Sequence, residues 1–208
     1  MDDIKRYPLD DGKGRIALID WMGGDGPIVN RARKCYQSQG RSNPVTDAKL
    51  LTKLVGGKPL HGTTLRGTVM TFDVIAPLFV VRQWTRHIVG HDCDGNDVWH
   101  TGGGSFDIGG SFDEQSFRYT EGLDFYIPSV DRLNNSTVLH TMWRDAMEEA
   151  LDNYRALRES STPKELARCF LPASVYSQFE WTVNLQGFFD WHAKRQAGGG
   201  ACHVLLLF

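Results

Sequence analysis

Apolar and polar residues alternate most cleanly at two places in the chain. From Thr68 to Val74, Met70, Phe72 and Val74 fall on one side and Thr71 and Asp73 on the other. After Leu171-Pro172, Val175, Phe179, Trp181 and Val183 alternate against Gln178, Glu180, Thr182 and Asn184. Side chains of period two point to opposite faces of a strand, so both runs predict strands with one buried face. Arg15 to Asp20 (RIALID) predicts a shorter strand. A helical period governs Thr141 to Arg158, where Met142, Ala146, Met147, Ala150, Leu151, Tyr154 and Leu157 form one stripe that predicts a core-facing helix. Pro27 to Tyr36 predicts a helix bearing Arg31, Arg33 and Lys34, and Leu185 to Arg195 a final one. Pro77 is expected to open the helix APLFVVRQWTRH, because a first-turn proline loses no hydrogen bond. Thr162-Pro163-Lys164-Glu165 reads as a cap, a first-turn proline and a capping-box carboxylate for a short helix carrying Arg168. Between Val89 and Gly110 the composition turns to glycine, aspartate and histidine without any period, as in a loop or insertion.

Length and composition narrow the class. The chain has 208 residues, 41% of them hydrophobic, and a formal net charge of -2. That suits one domain over residues 1–208, and argues against disorder or a surface that coats nucleic acid. Any anion site must be local. No apolar run approaches the roughly 20 residues that cross a bilayer, and the charged start MDDIKRYPLDDGKG is consistent with a cytoplasmic protein without membrane attachment. Cys35, Cys93, Cys169 and Cys202 are widely spaced and form no CxxC pair, which fits reduced thiols.

Candidate chemistry concentrates in GGSFDEQSFRYTE, Gly109 to Glu121. If this stretch is extended, Glu114, Ser116 and Arg118 share one face and Phe117 and Tyr119 take the other. A cation, a neutral donor and an acceptor then stand together, as a phosphorylated, hydroxylated ligand requires; a polar strand edge accounts for the same residues. Gln83, Arg86 and His87 lie near one face at a helix C-terminal end, where the helix dipole alone also favours cations. Asn184 and Arg195 are eleven residues apart, close to three turns, and share a face if the helix begins at Asn184. A solvated surface cation is the other reading of Arg195.

Taken in order, these blocks resemble the flavin-dependent thymidylate synthases from about Arg15 to about Arg195. Arg86-His87 and SFDEQSFRY (Ser111 to Tyr119) match most of that family's signature of Arg-His-Arg followed by Ser-x-Asn-Glu-x-Ser-x-Arg-Tyr. TFDVIAPLFVVRQWTRH, DFYIPS, ARCFLP around Arg168 and FEWTVN ending at Asn184 resemble further family blocks. The resemblance implies an α+β fold, a mostly antiparallel sheet flanked by helices, in a homotetramer that binds FAD and dUMP where subunits meet. Gln83, Arg86, Glu114, Gln115, Ser116, Arg118, Arg168 and Arg195 are then expected to hold dUMP, with Arg195, Ser116 and Arg168 nearest the chemistry. His61, Thr63, Arg86, His87, Glu114 and Asn184 are expected at FAD. The implied reaction makes dTMP from dUMP with methylenetetrahydrofolate as one-carbon donor and NADPH as reductant, without a cysteine nucleophile.

Departures from the family pattern are equally legible. Arg66-Gly67 follows HGTTL where the family has Glu-His, Ile88 replaces the second signature arginine, and Asp113 replaces the signature asparagine. Residues 88–110 are an insertion relative to the family, and His91, Cys93, Asp94, Asp97 and His100 within it could bind zinc, although a Gly/Asp-rich surface loop explains them without a metal. The repeat in GGGSFDIGGSFDE suggests a local duplication, of which only the second copy leads into EQSFRY. After Arg195 the family continues in a long helix, whereas QAGGGACHVLLLF carries three consecutive glycines, which break one. Ala201-Cys202-His203 superficially resembles the nucleophile segment of the cysteine-dependent thymidylate synthases, and would make Cys202 an attacking thiolate. A non-catalytic relative that keeps the dUMP site is a further alternative.

Overall fold

The nine-residue run from Tyr176 to Asn184 forms one of the two inner strands of the four-stranded sheet. The computed structural model describes residues 11–57, 61–84, 90–91, 97–98, 111–114 and 123–196. The elements are β1 (Arg15–Met22), α1 (Asp25–Cys35), α2 (Pro44–Gly56), α3 (Gly62–Leu65), β2 (Val69–Pro77), α4 (Leu78–Trp84), β3 (Gly90–His91), β4 (Asp97–Val98), β5 (Ser111–Glu114), α5 (Thr137–Glu159), α6 (Lys164–Ala167), β6 (Tyr176–Asn184) and α7 (Leu185–Gln196), with short 3-10 turns between them. The main sheet has the order β1-β2-β6-β5, and each neighbouring pair is antiparallel. β2 and β6 pair over their full length, from Val69 opposite Asn184 to Pro77 opposite Tyr176. The fold is thus α+β with an antiparallel sheet.

Alternation sets which side is buried. Phe72 and Val74 on β2 and Phe179, Trp181 and Val183 on β6 are buried, whereas Gln178 and Glu180 are exposed. α4 and α7 cover this face with Val80, Val81, Trp84 and Trp191. The rings interlock edge-on as well as stacked: Trp84 meets Trp181 at 5.2 Å and 86°, and Phe112 from β5 stacks on Phe179 at 4.4 Å. A second cluster, Ile28, Ala32, Leu54 and Leu65, joins α1, α2 and α3, with Leu185 and Phe189 of α7 against it. Ile19 is the extra residue of an irregularity between Leu18 and Asp20, beyond which Trp21 and Met22 are exposed at the sheet edge.

Several boundaries depart from the sequence pattern. Pro77 ends β2 rather than opening α4, and the chain enters the helix at Leu78, whose N–H donates to the Val175 carbonyl. α1 begins at Asp25, so Pro27 falls in its first turn, where a missing donor is harmless. Thr162 does not cap α6: its hydroxyl pairs with Ser160, and Arg168 begins the following 3-10 turn instead of belonging to α6. α5 is only half core-facing. Met147 and Leu151 pack beside Phe125 and Val175 and Tyr154 is buried, but Val138 and Met142 are 67% and 61% exposed. Within residues 88–110, expected to be an insertion, β3 and β4 form a two-residue antiparallel ladder. No described helix is long and apolar enough to cross a membrane.

Candidate functional site

β5 adds to the free edge of β6 in the register Ser111–Thr182, Phe112–Trp181, Asp113–Glu180 and Glu114–Phe179. Phe112 packs into the core and Glu114, two residues on, emerges on the same side. There the buried Ser177 hydroxyl donates to its Oε1 at 2.6 Å. One carboxylate oxygen of Glu114 is thereby fixed to the sheet while the residue remains exposed. Asp113 points the other way, opposite Glu180, so its charge is placed on the opposite strand face from Glu114. Gln115, Ser116 and Arg118, like Arg86 and His87, lie outside the described residues.

Gln83 sits in the last turn of α4, half-buried. Arg168 is half-buried at the start of its 3-10 turn, and its Nε is buried without a hydrogen-bond partner among the described residues. A buried guanidinium donor in this state favours an anionic ligand. Arg195 lies in the last turn of α7. Asn184 is the residue before that helix rather than its first residue, and its Oδ1 accepts from the Gly187 N–H at 2.9 Å, so it serves as a buried N-cap.

The turn before β2 brings the two flavin candidates and two of the departures together. His61 and Thr63 are exposed, and neither side chain is hydrogen-bonded to a described residue. Arg66 reaches across to α7, where its Nε donates to Gln186 Oε1 at 2.8 Å. Gly67 receives Arg31, whose guanidinium donates to the carbonyls of Thr64 (3.1 Å) and Gly67 (2.6 Å). A Cβ on Gly67 would lie 2.4 Å from the Arg31 Cζ, and one on Gly62 2.3 Å from Gln186 Oε1. Any larger residue at either position would have to displace the side chain that rests on it. Arg66 and Gly67, which break the family pattern, are both built into contacts with distant helices.

Beside this turn, α1, α2 and α3 enclose a groove of about 980 Å³ lined in part by His61, Thr63, Leu50, Leu54 and Ala32. α2 starts at a proline preceded by Asn43, whose side chain accepts from the Thr46 N–H. Arg33 is buried and ion-paired with Asp47. The Ser42 hydroxyl, together with Arg33, holds the Asp47 carboxyl below the usual carboxylate range.

The profile of the thymidylate synthase complementing protein family matches residues 17–201. The chain belongs to the flavin-dependent thymidylate synthase family. It is 34% identical to the flavin-dependent thymidylate synthase of Thermosipho africanus and 32% identical to that of Thermosipho melanesiensis, in both cases over 86% of this chain and 75% of the relative. Among solved structures, the UMP/dUMP methylase PolB of Streptomyces cacaoi, bound with 5-Br dUMP, has a similar fold, with a TM-score of 0.63 and 27% identity over 83% of this chain and 73% of that one.

In this flavin-dependent thymidylate synthase family member, sequence motifs point to Glu114, Gln83, Arg168 and the His61 turn as candidates. They missed α2 altogether, although Asn43-Pro44 is a cap followed by a first-turn proline. They also missed Ser177 and Arg31. Neither carries a local signal, because each acts on a residue far away in sequence, 63 and 36 positions for the bonds to Glu114 and Gly67.

Proposed function

We propose that this chain methylates dUMP reductively to dTMP, with FAD, methylenetetrahydrofolate as one-carbon donor and NADPH as reductant, in a homotetramer. Family membership supports the reaction class, and relatives are named for their flavin dependence. The observation that carries the nucleotide site is Glu114, exposed on β5 and anchored by buried Ser177. Its orientation is set before any ligand arrives, so nucleotide binding need not order it.

In this reading Arg118 and Arg86 hold the phosphate as bidentate forks. Glu114, Gln115, Ser116 and Gln83 bind the sugar and base edges, Ser116 acting as a binding hydroxyl rather than a nucleophile. Arg168 adds a cation whose Nε lacks a partner among the described residues. Arg195, beside the uracil, stabilises negative charge developing on a carbonyl oxygen as the ring is activated. The donor set at the other turn suits a flavin: His61 and Thr63 are exposed without side-chain partners among the described residues. His87 and Asn184, the N-cap of α7, complete that set. The flavin, when bound, supplies the hydride chemistry, and the protein orients the reactants. Cys35 and Cys169 are exposed free thiols, and none of the four cysteines has a part in this scheme.

Purified protein supplied with FAD, NADPH, methylenetetrahydrofolate and dUMP is expected to form dTMP, and to continue to do so after all four cysteines are changed to serine. Loss of turnover in a folded, flavin-loaded Cys202→Ser protein would instead favour a thiolate mechanism.

A further inference from the structure

The groove between α1, α2 and α3 carries charge for which the dUMP and FAD residues do not account. On α2 the lining positions Thr46, Lys49, Leu50, Lys53 and Leu54 recur at spacings of three and four, so they form one stripe. Leu50 and Leu54, with Ala32 of α1, give the groove an apolar floor. Lys49, Lys53 and Lys34, the last from the final turn of α1, are exposed and form no ion pair with any described residue. The two lining arginines are already engaged, Arg31 with two carbonyls and Arg33 with Asp47. Among the described residues, no acidic one lines the groove. An apolar trough with three uncompensated ammonium groups fits an elongated ligand that has an aromatic body and several carboxylates.

We infer that this groove binds the glutamate tail of the folate co-substrate, with the aminobenzoyl ring over Leu50, Leu54 and Ala32 and successive carboxylates on Lys34, Lys49 and Lys53. The inference rests on the flavin-dependent reading: the folate's reacting end must meet the flavin, and His61 and Thr63, the residues which that reading gives to the flavin, are part of the groove lining. Folate joins a pterin, an aminobenzoyl ring and glutamate, and each added glutamyl unit contributes another carboxylate and no cation. Lys49 and Lys53 are one turn apart, about 6 Å along the helix axis. That spread suits a row of carboxylates, whereas the single 2′-phosphate of NADPH calls for donors that converge on one point. Lys49 and Lys53, four apart on one helix, also repel each other in the free protein, which an oligo-carboxylate relieves.

Calorimetric titration of the full-length, FAD-loaded protein with pteroyl-monoglutamate and pteroyl-triglutamate tests this without relying on turnover. The wild type is expected to bind the triglutamate about fivefold more tightly at low salt, because the monoglutamate already carries two carboxylates and the triglutamate adds two more for exposed ion pairs. In the Lys34→Gln, Lys49→Gln, Lys53→Gln triple variant the preference should fall to within about twofold, and the corresponding Lys→Arg triple variant should restore it. If the glutamine triple variant does not fold, each single glutamine variant should lower the preference about twofold. Equal affinity of the wild type for the two folates would overturn the inference. So would an unchanged preference in a glutamine variant with wild-type circular dichroism and flavin content, or displacement of the triglutamate by 2′,5′-ADP that depends on the same lysines. Thymidylate formation measured alongside separates the two readings. Turnover without tail preference removes the tail site alone, and tail preference without turnover leaves the site standing while contradicting the proposed reaction.

Discussion

Arg66 donates a 2.8 Å hydrogen bond to Gln186, tying the turn after HGTTL to the first turn of α7. Gln186 is buried and packs against Gly62, so one contact fixes the position of both His61 and the helix that Asn184 caps. A family departure at position 66 has thus become a strut between the two segments expected at the flavin.

The strut should be measurable as coupling. In a double-mutant cycle of Arg66→Ala and Gln186→Ala, the interaction energy is expected to be about 0.5–1.5 kcal/mol in urea unfolding, the usual size for one hydrogen bond involving a charged donor near the surface. FAD affinity should fall in both single variants. Additive stabilities, with unchanged flavin affinity, would show that the bond does not organise the turn.

Ser177 acts on the nucleotide through Glu114. Ser177→Ala removes the bond that orients the carboxylate while leaving Glu114 in place, and should raise the Kd for dUMP about three- to tenfold, the equivalent of roughly 1 kcal/mol. Thermal unfolding separates this from a general packing defect, because the lost hydroxyl is small. The expected pattern is a larger loss in dUMP affinity than in stability, and an effect largely absent when Glu114 is already Gln.

Arg168 should show a trade between binding and stability. Its buried Nε is unsatisfied among the described residues, so Arg168→Ala relieves an uncompensated donor and should leave the melting temperature unchanged or raised. Its dUMP affinity should drop by roughly 1.5–3 kcal/mol, as for a lost charge-assisted contact. Weakened stability with normal nucleotide binding would make Arg168 a structural residue.

The exposed half of α5 is expected to be a subunit contact. Val138 and Met142 share a face, one turn apart, and both are well exposed in the isolated chain. Val138→Glu together with Met142→Glu should shift the sedimentation profile of the proposed homotetramer towards smaller species and reduce flavin retention. An unaltered profile would place the subunit interface elsewhere.

How far the sequence was legible follows from the range of the interactions. β2 and β6 were readable because period-two alternation records a one-sided environment directly, and their pairing needs no residue-specific bond. The stripe on α5 was readable as helix but not as to what covers it: periodicity reports an apolar face, and a neighbouring subunit satisfies that face as well as the core does. Pro77 was misread because the same locked ring suits the last residue of a strand as well as the first turn of a helix. Arg66 and Gly67 looked like defects since only the fold shows Gln186 and Arg31 arriving at them. α2 was missed although Asn43-Pro44 announces it, because its Lys and Thr positions dilute the apolar period. Glu114 is a candidate by motif, but its anchor Ser177 sits on a strand whose serine carries no pattern of its own.

The most direct test of the account is the visible spectrum of the purified full-length protein, taken before and after addition of dUMP. A yellow protein with an oxidised-flavin absorption, one flavin per chain, bleached by NADPH and spectrally perturbed by dUMP, is the predicted result. A colourless protein that takes up no added FAD yet still binds dUMP would contradict it, and would leave a nucleotide-binding relative without flavin chemistry.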